Sequence, residues 1–471
     1  MKKSRALELI KTATVAALLV SLICLCTVFI FGFGQVSRED FTKSMMADLK
    51  RQSSKSEYSK YFSPEHIVPE FIGISSAEGE HIGMFSDTSE ATVKNLYINL
   101  SAYFADTFGE KGETTALSYE AGEALWQQAL EMDNVYMSFC GELPRSVIYY
   151  MTFPDAISDG IGGENISELI IFPCGDPKEI EITDIYGEKT ITRLYAFSVV
   201  TRNRHGEYYL FETTSVPQGF SDTYFNRERI FSYNTSGAFS FEFGGGSCFS
   251  GMDIKTESMS APEVFILKKD ITSSEGEISR AAGAFGINYE KAVRYEESDG
   301  AVSYIEEGHN IKLYREGKLV YTATGDASGV RVNSYSESST VYDYIGAALR
   351  LLKASGLCDA ENIRLVGVYK NGESTEVAFG YECNNVSVFD GRADLLRFDF
   401  VGDRLVSAEI GIYTLQSTKR FGLCPRRWYE ELYKYEQTGD GRLVPFYVAG
   451  DGEKSVGAVW LFAKATEESG K

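Results

Sequence analysis

Hydrophobic positions along this chain change their period several times, and each change marks an element. Between Lys11 and Arg38 lie 26 uncharged residues, TATVAALLVSLICLCTVFIFGFGQVS. About 20 apolar residues at about 1.5 Å rise each suffice to cross a bilayer core, so this run predicts a transmembrane helix over 12–36. Residues 37–62 turn polar and Ser/Lys-rich, as a membrane-proximal helix or stalk would. From Thr92 to Phe108, apolar side chains recur every three or four residues (Val93, Leu96, Tyr97, Leu100, Tyr103, Phe104, Phe108), the pattern of an amphipathic helix. A second helix starts at Ser118, a good N-cap, and carries Leu125, Trp126 and Leu130. Then β-branched and aromatic runs predict strands at 146–153, 167–172, 191–201 and 206–216.

The GGGS run at 244–247 and the polar stretch after it predict a boundary. Beyond it come a strand at 263–268, a short helix near 277–285 and a meander of strands at 301–306, 310–315 and 318–324. The last unit opens with a helix from Ser338 to Ser355, which Gly356 terminates. Four strand-like runs follow, separated by the turn pairs Asn371-Gly372, Asp390-Gly391 and Gly402-Asp403. Alternation places Val366, Val368, Val377, Phe379, Leu396, Phe398, Ile410 and Ile412 on one covered face and leaves Ala378 on the other, where a polar residue is expected to be tolerated. A further helix begins at Pro425, and strands containing LVPFYV and VGAVWLFAKA close the chain.

The fold class expected is therefore α+β: one N-terminal transmembrane helix, then an extracytoplasmic multi-domain region of helices packed on antiparallel sheets. The divisions are a tail at 1–11, the span at 12–36, the stalk at 37–62, an α+β domain at 63–245, a linker and β-rich middle domain at 246–335, and a helix-plus-sheet domain at 336–466. A chain of 471 residues fits about three folded units at roughly 150 each.

Orientation follows from charge. Lys2, Lys3, Arg5 and Lys11 precede the span against Glu8 alone, so the positive-inside rule puts the N-terminus in the cytoplasm and the bulk of the chain outside the cell membrane. A cleaved signal peptide is the alternative, but the apolar run is long for one and FIFGFGQ has no A-x-A-like site. Along the span Ala13, Ala17 and Ser21 are four apart and Cys24 follows, a small-residue stripe of the kind that lets two helices approach and thus a candidate partner face. Ala and Ser are also common in any spanning helix.

Composition removes several functions. With 67 Asp+Glu against 46 Lys+Arg the net charge is -21, which repels phosphate backbones, so nucleic acid is not an expected partner. Eight cysteines and four histidines are scattered, with no C-x-x-C pair, so no metal site is expected and free thiols are favoured over disulfides. No G-x-S-x-G, H-E-x-x-H, S-x-x-K or Walker loop occurs, and no catalytic residue or cofactor is expected. Weaker leads have simpler explanations. Ser247 and Cys248 read as linker, and the acidic pair Asp155/Asp159 is expected by chance in so acidic a chain. Glu297, Asp299, Gly300 and Glu306 have calcium-loop spacing, yet Tyr295 stands where the first acidic ligand is required, so a hairpin turn at Asp299-Gly300 is expected. His309 is expected to be solvated.

Segment order carries more information than any motif. A cytoplasm-starting span, PEHIVPEFIGI, a helix and MSFCGELPRSVI resemble the N-terminal part of the YycH family. FGINYEKAVRYEESDGAVSYIEEGHNIKLYREGKLVYTA is similar to that family's middle helix and meander, and the last unit with its LVPFYV strand resembles the domain YycH shares with YycI. The GGGS region and residues 425–464 match less well. The resemblance implies a non-enzymatic regulator of a two-component system of Gram-positive cell-wall homeostasis. Its implied partners are a WalK-like sensor histidine kinase and a YycI-like companion protein. A wall-active hydrolase using acidic residues and a small-ligand sensor module are the competing classes.

Overall fold

In a computed structural model of the chain, the described residues lie within 62–75, 81–85, 104–109, 113–152, 164–183, 189–212, 239–240, 259–324, 329–332, 339–424, 442–449 and 456–463. They belong to one compact unit, Ser56–Lys471. The expected span, its stripe of Ala13, Ala17, Ser21 and Cys24, the stalk, most of the 92–108 helix, Asp155, Asp159, Ser247, Cys248 and the helix after Pro425 lie outside the described residues. Among the described residues, no helix is long and apolar enough to cross a membrane.

The architecture is sheet-rich with few helices, and most of its pairing is antiparallel. The N-terminal sheet contains β1 (Phe71–Ser75), β2 (His81–Phe85), β3 (Glu113–Leu117), β4 (Asn134–Pro144), β5 (Asn165–Thr183), β6 (Lys189–Arg202), β7 (Tyr208–Glu212) and β8 (Phe239–Ser240). Its spatial order is β8-β2-β1-β4-β5-β6-β7-β3, antiparallel throughout. Helix α1 (Tyr119–Leu130) lies on this sheet. Ser118 caps it as expected, its hydroxyl accepting from the Ala121 N–H at 3.3 Å. Trp126 is driven between Tyr136 and Tyr208, edge-on to both, and Gly122 is required because a Cβ there would enter the Tyr208 ring.

One strand expectation fails here. Residues Arg145–Thr152 form helix α2 although RSVIYYMT reads as strand by composition. Tertiary contacts override propensity: Arg145 donates from Nε to the Phe108 carbonyl at 3.0 Å and from Nη2 to that of Gly109 at 2.9 Å, and Val147 with Ile148 enters the core.

After β9 (Met259–Lys268) and α3 (Glu275–Ala284) comes β10 (Val293–Glu296), a strand not expected, and then the expected meander as β11 (Val302–Glu306), β12 (His309–Tyr314) and β13 (Lys318–Ala323). The two-residue β14 (Val330–Arg331) precedes α4 (Val341–Ser355). Helix α4 begins with a capping box between Thr340 and Asp343 and stops at Gly356 in the left-handed region (φ 64).

Beyond α4 come β15 (Ile363–Asn371), β16 (Ser374–Cys383), β17 (Val386–Phe389), β18 (Leu396–Val401), β19 (Arg404–Gly411), β20 (Tyr413–Cys424), β21 (Arg442–Val448) and β22 (Ala458–Ala463). The second sheet runs β10-β11-β12-β13-β19-β18-β16-β15, all antiparallel. Tyr344 of α4 packs on Phe400 and donates to the Gly402 carbonyl, fixing the helix on this sheet. The expectation of antiparallel pairing alone is corrected at two places: β17 runs parallel to β21, and β15 meets β4 in parallel at Gly367 and Glu142.

The eight residues assigned to one sheet face are all buried, but not on one face. A bulge between Leu365 and Gly367 adds one residue to β15 and turns Val366 over. Val366 packs with Ala378 and Tyr369 in a small second cluster, apart from the main core. Ala378 is therefore buried too, which overturns its expected tolerance of a polar side chain. The cover on that side includes β4, where a Cβ at Gly141 would fall on the Val366 carbonyl.

Candidate functional site

Several of the described polar groups that could carry chemistry are engaged in structural contacts. Glu168 accepts from Tyr136 Oη at 2.9 Å and from Arg202 Nε at 2.8 Å, while the Arg202 guanidinium lies 4.8 Å above the Trp126 ring. Alternation on β5 and β6 aims both charges under α1, and each meets its opposite there, the condition for burying an ion pair. Next to them Tyr208 donates to Glu123, and burial, with that carboxylate, pushes the phenol's pKa up. In the second sheet Arg364 pairs with Glu382.

The segment with calcium-loop spacing is the hairpin turn that was expected. Gly300 takes φ 81, Glu297 and Asp299 clamp Lys312 Nζ at 2.6 and 3.0 Å, and Ser303 donates to Glu297. The Lys312 ammonium and the Ser303 hydroxyl hold the Glu297 carboxylate below its usual range, and the backbone N–H of Ala301, followed by Lys312, does the same for Asp299. Glu306 turns away to accept from the Asn288 N–H. A cation has no vacant ligand set here, and among the described residues no cluster of three or more metal-ligating side chains occurs.

His309 is not simply solvated. Its Nδ1 sits 2.8 Å from the hydroxyl of Tyr321, whose ring is buried and stacked on Phe285. Of the cysteines, Cys174, Cys358 and Cys383 have free thiols. Burial pushes Cys358 up to about 12 and Cys383 up to about 11, so neither is a thiolate nucleophile at neutral pH.

Among the described residues six large hydrophobic side chains are exposed. Tyr119, Leu267 and Val401 are isolated exposed positions, whereas Val293 and Tyr295, each 54% exposed, share one face of the meander with Ile305. Val293 stands directly opposite Ile305 in the ladder. Every residue of β10 is exposed, and the register pairs this strand with β11 alone among the described strands. An unpaired strand edge carrying apolar side chains is a docking surface for another chain. VRYE does alternate apolar and polar residues, but four residues are the shortest run at which alternation signals a strand.

No family model matches the chain, and no curated protein matches it in sequence. The comparison with solved structures is different. The crystal structure of YycH from Bacillus subtilis superimposes with a TM-score of 0.53, covering 86% of this chain and 95% of that one at 11% identity. The chain has the YycH fold. The likeness extends over most of both chains, as the order of segments had suggested. At 11% identity no single residue role is carried across.

Proposed function

We propose that this chain is a membrane-anchored extracytoplasmic regulator that adjusts a two-component sensor kinase of cell-wall homeostasis through transmembrane and external contacts. The observation carrying the proposal is the YycH fold over nearly the whole chain. The apolar run at 12–36, with its basic residues upstream, adds an anchor that would leave the bulk of the chain outside. A WalK-like kinase and a YycI-like companion are the specific partners proposed, with Ala13, Ala17, Ser21 and Cys24 as the face of the span that meets them. The division into 63–245, 246–335 and 336–466 belongs to the same proposal. An exposed strand edge carrying Val293 and Tyr295 fits a binding protein.

Removing the chain from its cell should change transcription from promoters controlled by the kinase, and the intact chain supplied in trans should restore it. A chain whose residues 12–36 are exchanged for an unrelated spanning helix should be exported yet restore less. Unchanged kinase output on removal of the chain would overturn the proposal.

A further inference from the structure

We propose that the β10 edge pairs with β10 of a second copy of this chain, two strands meeting antiparallel about a two-fold axis at Tyr295. This goes beyond the regulatory reading and does not rest on it. The backbone comes first. The Glu297 N–H donates to the Ala301 carbonyl at 2.8 Å, closing the turn of the β10–β11 hairpin. Bonded and non-bonded pairs alternate along an antiparallel ladder, so 295/303 and 293/305 are the bonded pairs within the hairpin. The N–H and C=O groups of Arg294 and Glu296 then point outward, away from β11.

Those two residues flank Tyr295 symmetrically, and their charges are opposite. When a second β10 is placed antiparallel about Tyr295, Arg294 stands across from Glu296 of the second copy, and Glu296 from its Arg294. Both residues of each such pair have outward backbone groups, so each pair forms the two bonds of a bonded position, four in all. Tyr295 meets Tyr295 at a non-bonded position, where side chains approach most closely. On the other registers nearest the centre the match fails: moving the axis by one residue, a slip of two residues between the strands, sets Arg294 against Arg294 or Glu296 against Glu296. In one copy Arg294 already reaches Glu296 at 2.7 Å, both largely exposed, so the same two groups can exchange partners across the axis. Val293, Tyr295 and Ile305 of the two copies would join into one apolar patch on the solvent face.

The test uses the intact chain with two different epitope tags, co-expressed and recovered from membranes. Wild-type copies should capture each other. Arg294→Glu alone, or Glu296→Arg alone, sets like charges opposite at both symmetric positions and should reduce self-capture about tenfold. Co-expressing the two single variants should restore capture, because their charges then complement across the interface and not within a chain. Tyr295→Cys should give a disulfide-linked dimer joined at residue 295, since non-bonded pairs hold their Cα atoms about 4.5 Å apart, within disulfide range. Failure of the mixed variants to restore capture, self-capture insensitive to both charge changes, or capture of a different protein at this edge would each overturn the proposal. Kinase output read alongside separates the outcomes, because the regulatory role can stand if the edge variants leave self-capture untouched.

Discussion

Truncating Phe379 to Ala tests the register of the second sheet more sharply than any other single change. The ring is fully buried on β16, edge-on to Phe398 at 6.2 Å, with Leu365 opposite it on β15 and Leu396 opposite on β18. Deleting a buried phenyl ring costs its transfer free energy and leaves a cavity, together about 3–5 kcal/mol. The neighbouring Ala378 points the other way, yet Val366 and Tyr369 cover it. Ala378→Asp would bury a carboxylate with no partner and should cost several kcal/mol too, on the order of 3. An ordinary one-faced strand would show a large loss at one position and none at the next. Urea unfolding of the purified chain, followed by far-UV circular dichroism, should move the transition down by about 1 M or more for each variant, given slopes of about 3 kcal/mol per M. A loss under about 1 kcal/mol for Ala378→Asp would refute the second buried cluster; the same small loss for Phe379→Ala would refute the register itself.

Gly141→Ala should separate the two sheets where β4 crosses β15, because the new methyl falls on the Val366 carbonyl; a loss of about 3 kcal/mol or more is expected, with hydrogen exchange rising first in β4 and β15. Glu168→Gln should cost about 3 kcal/mol by leaving Arg202 buried without its charge partner, and replacing Arg202 by Met in the same chain should recover most of it. Asp399 and Glu376 stand opposite one another across β18 and β16, and burial raises both pKa values against the pull of Arg397. A carboxyl group whose folded pKa is raised contributes stability below its unfolded pKa and loses it as pH rises through the folded value. Asp399→Asn should therefore raise the thermal midpoint at pH 7 and bring no gain near pH 3, checked by melting the variant across that range. For the proposed anchor, a reporter fused after Lys471 should be active only as an exported protein.

Local chemistry was legible wherever one residue decides the backbone. Gly300, Gly356, Gly372, Gly391 and Gly402 all take positive φ at the turns and cap their neighbours had marked, and Ser118 caps its helix. Periodicity and turn residues located α3, α4 and the three strands of the meander. The failures are those in which distant residues decide. α2 reads as strand until Arg145 is seen bound to the carbonyls of Phe108 and Gly109. The bulge at Val366 has no local signal, and Gly141 explains itself only once the Val366 carbonyl lies against it. The Glu168–Arg202 pair joins strands 34 residues apart in sequence, and nothing in either strand alone distinguishes it from a surface pair. The open edge at β10 escaped notice for a different reason, since VRYE alternates over only four residues, the shortest run that signals a strand.

The regulatory claim is tested most directly by what accompanies the intact chain out of the membrane. Purification from native membranes after brief crosslinking, followed by identification of every linked protein, should yield a sensor histidine kinase joined in part through residues 12–36, and exchanging Ala17 and Ser21 for Leu should deplete it by about five- to thirtyfold, the equivalent of 1 to 2 kcal/mol. Recovery of the chain from membranes with no sensor kinase attached, or from the soluble fraction, would contradict the account.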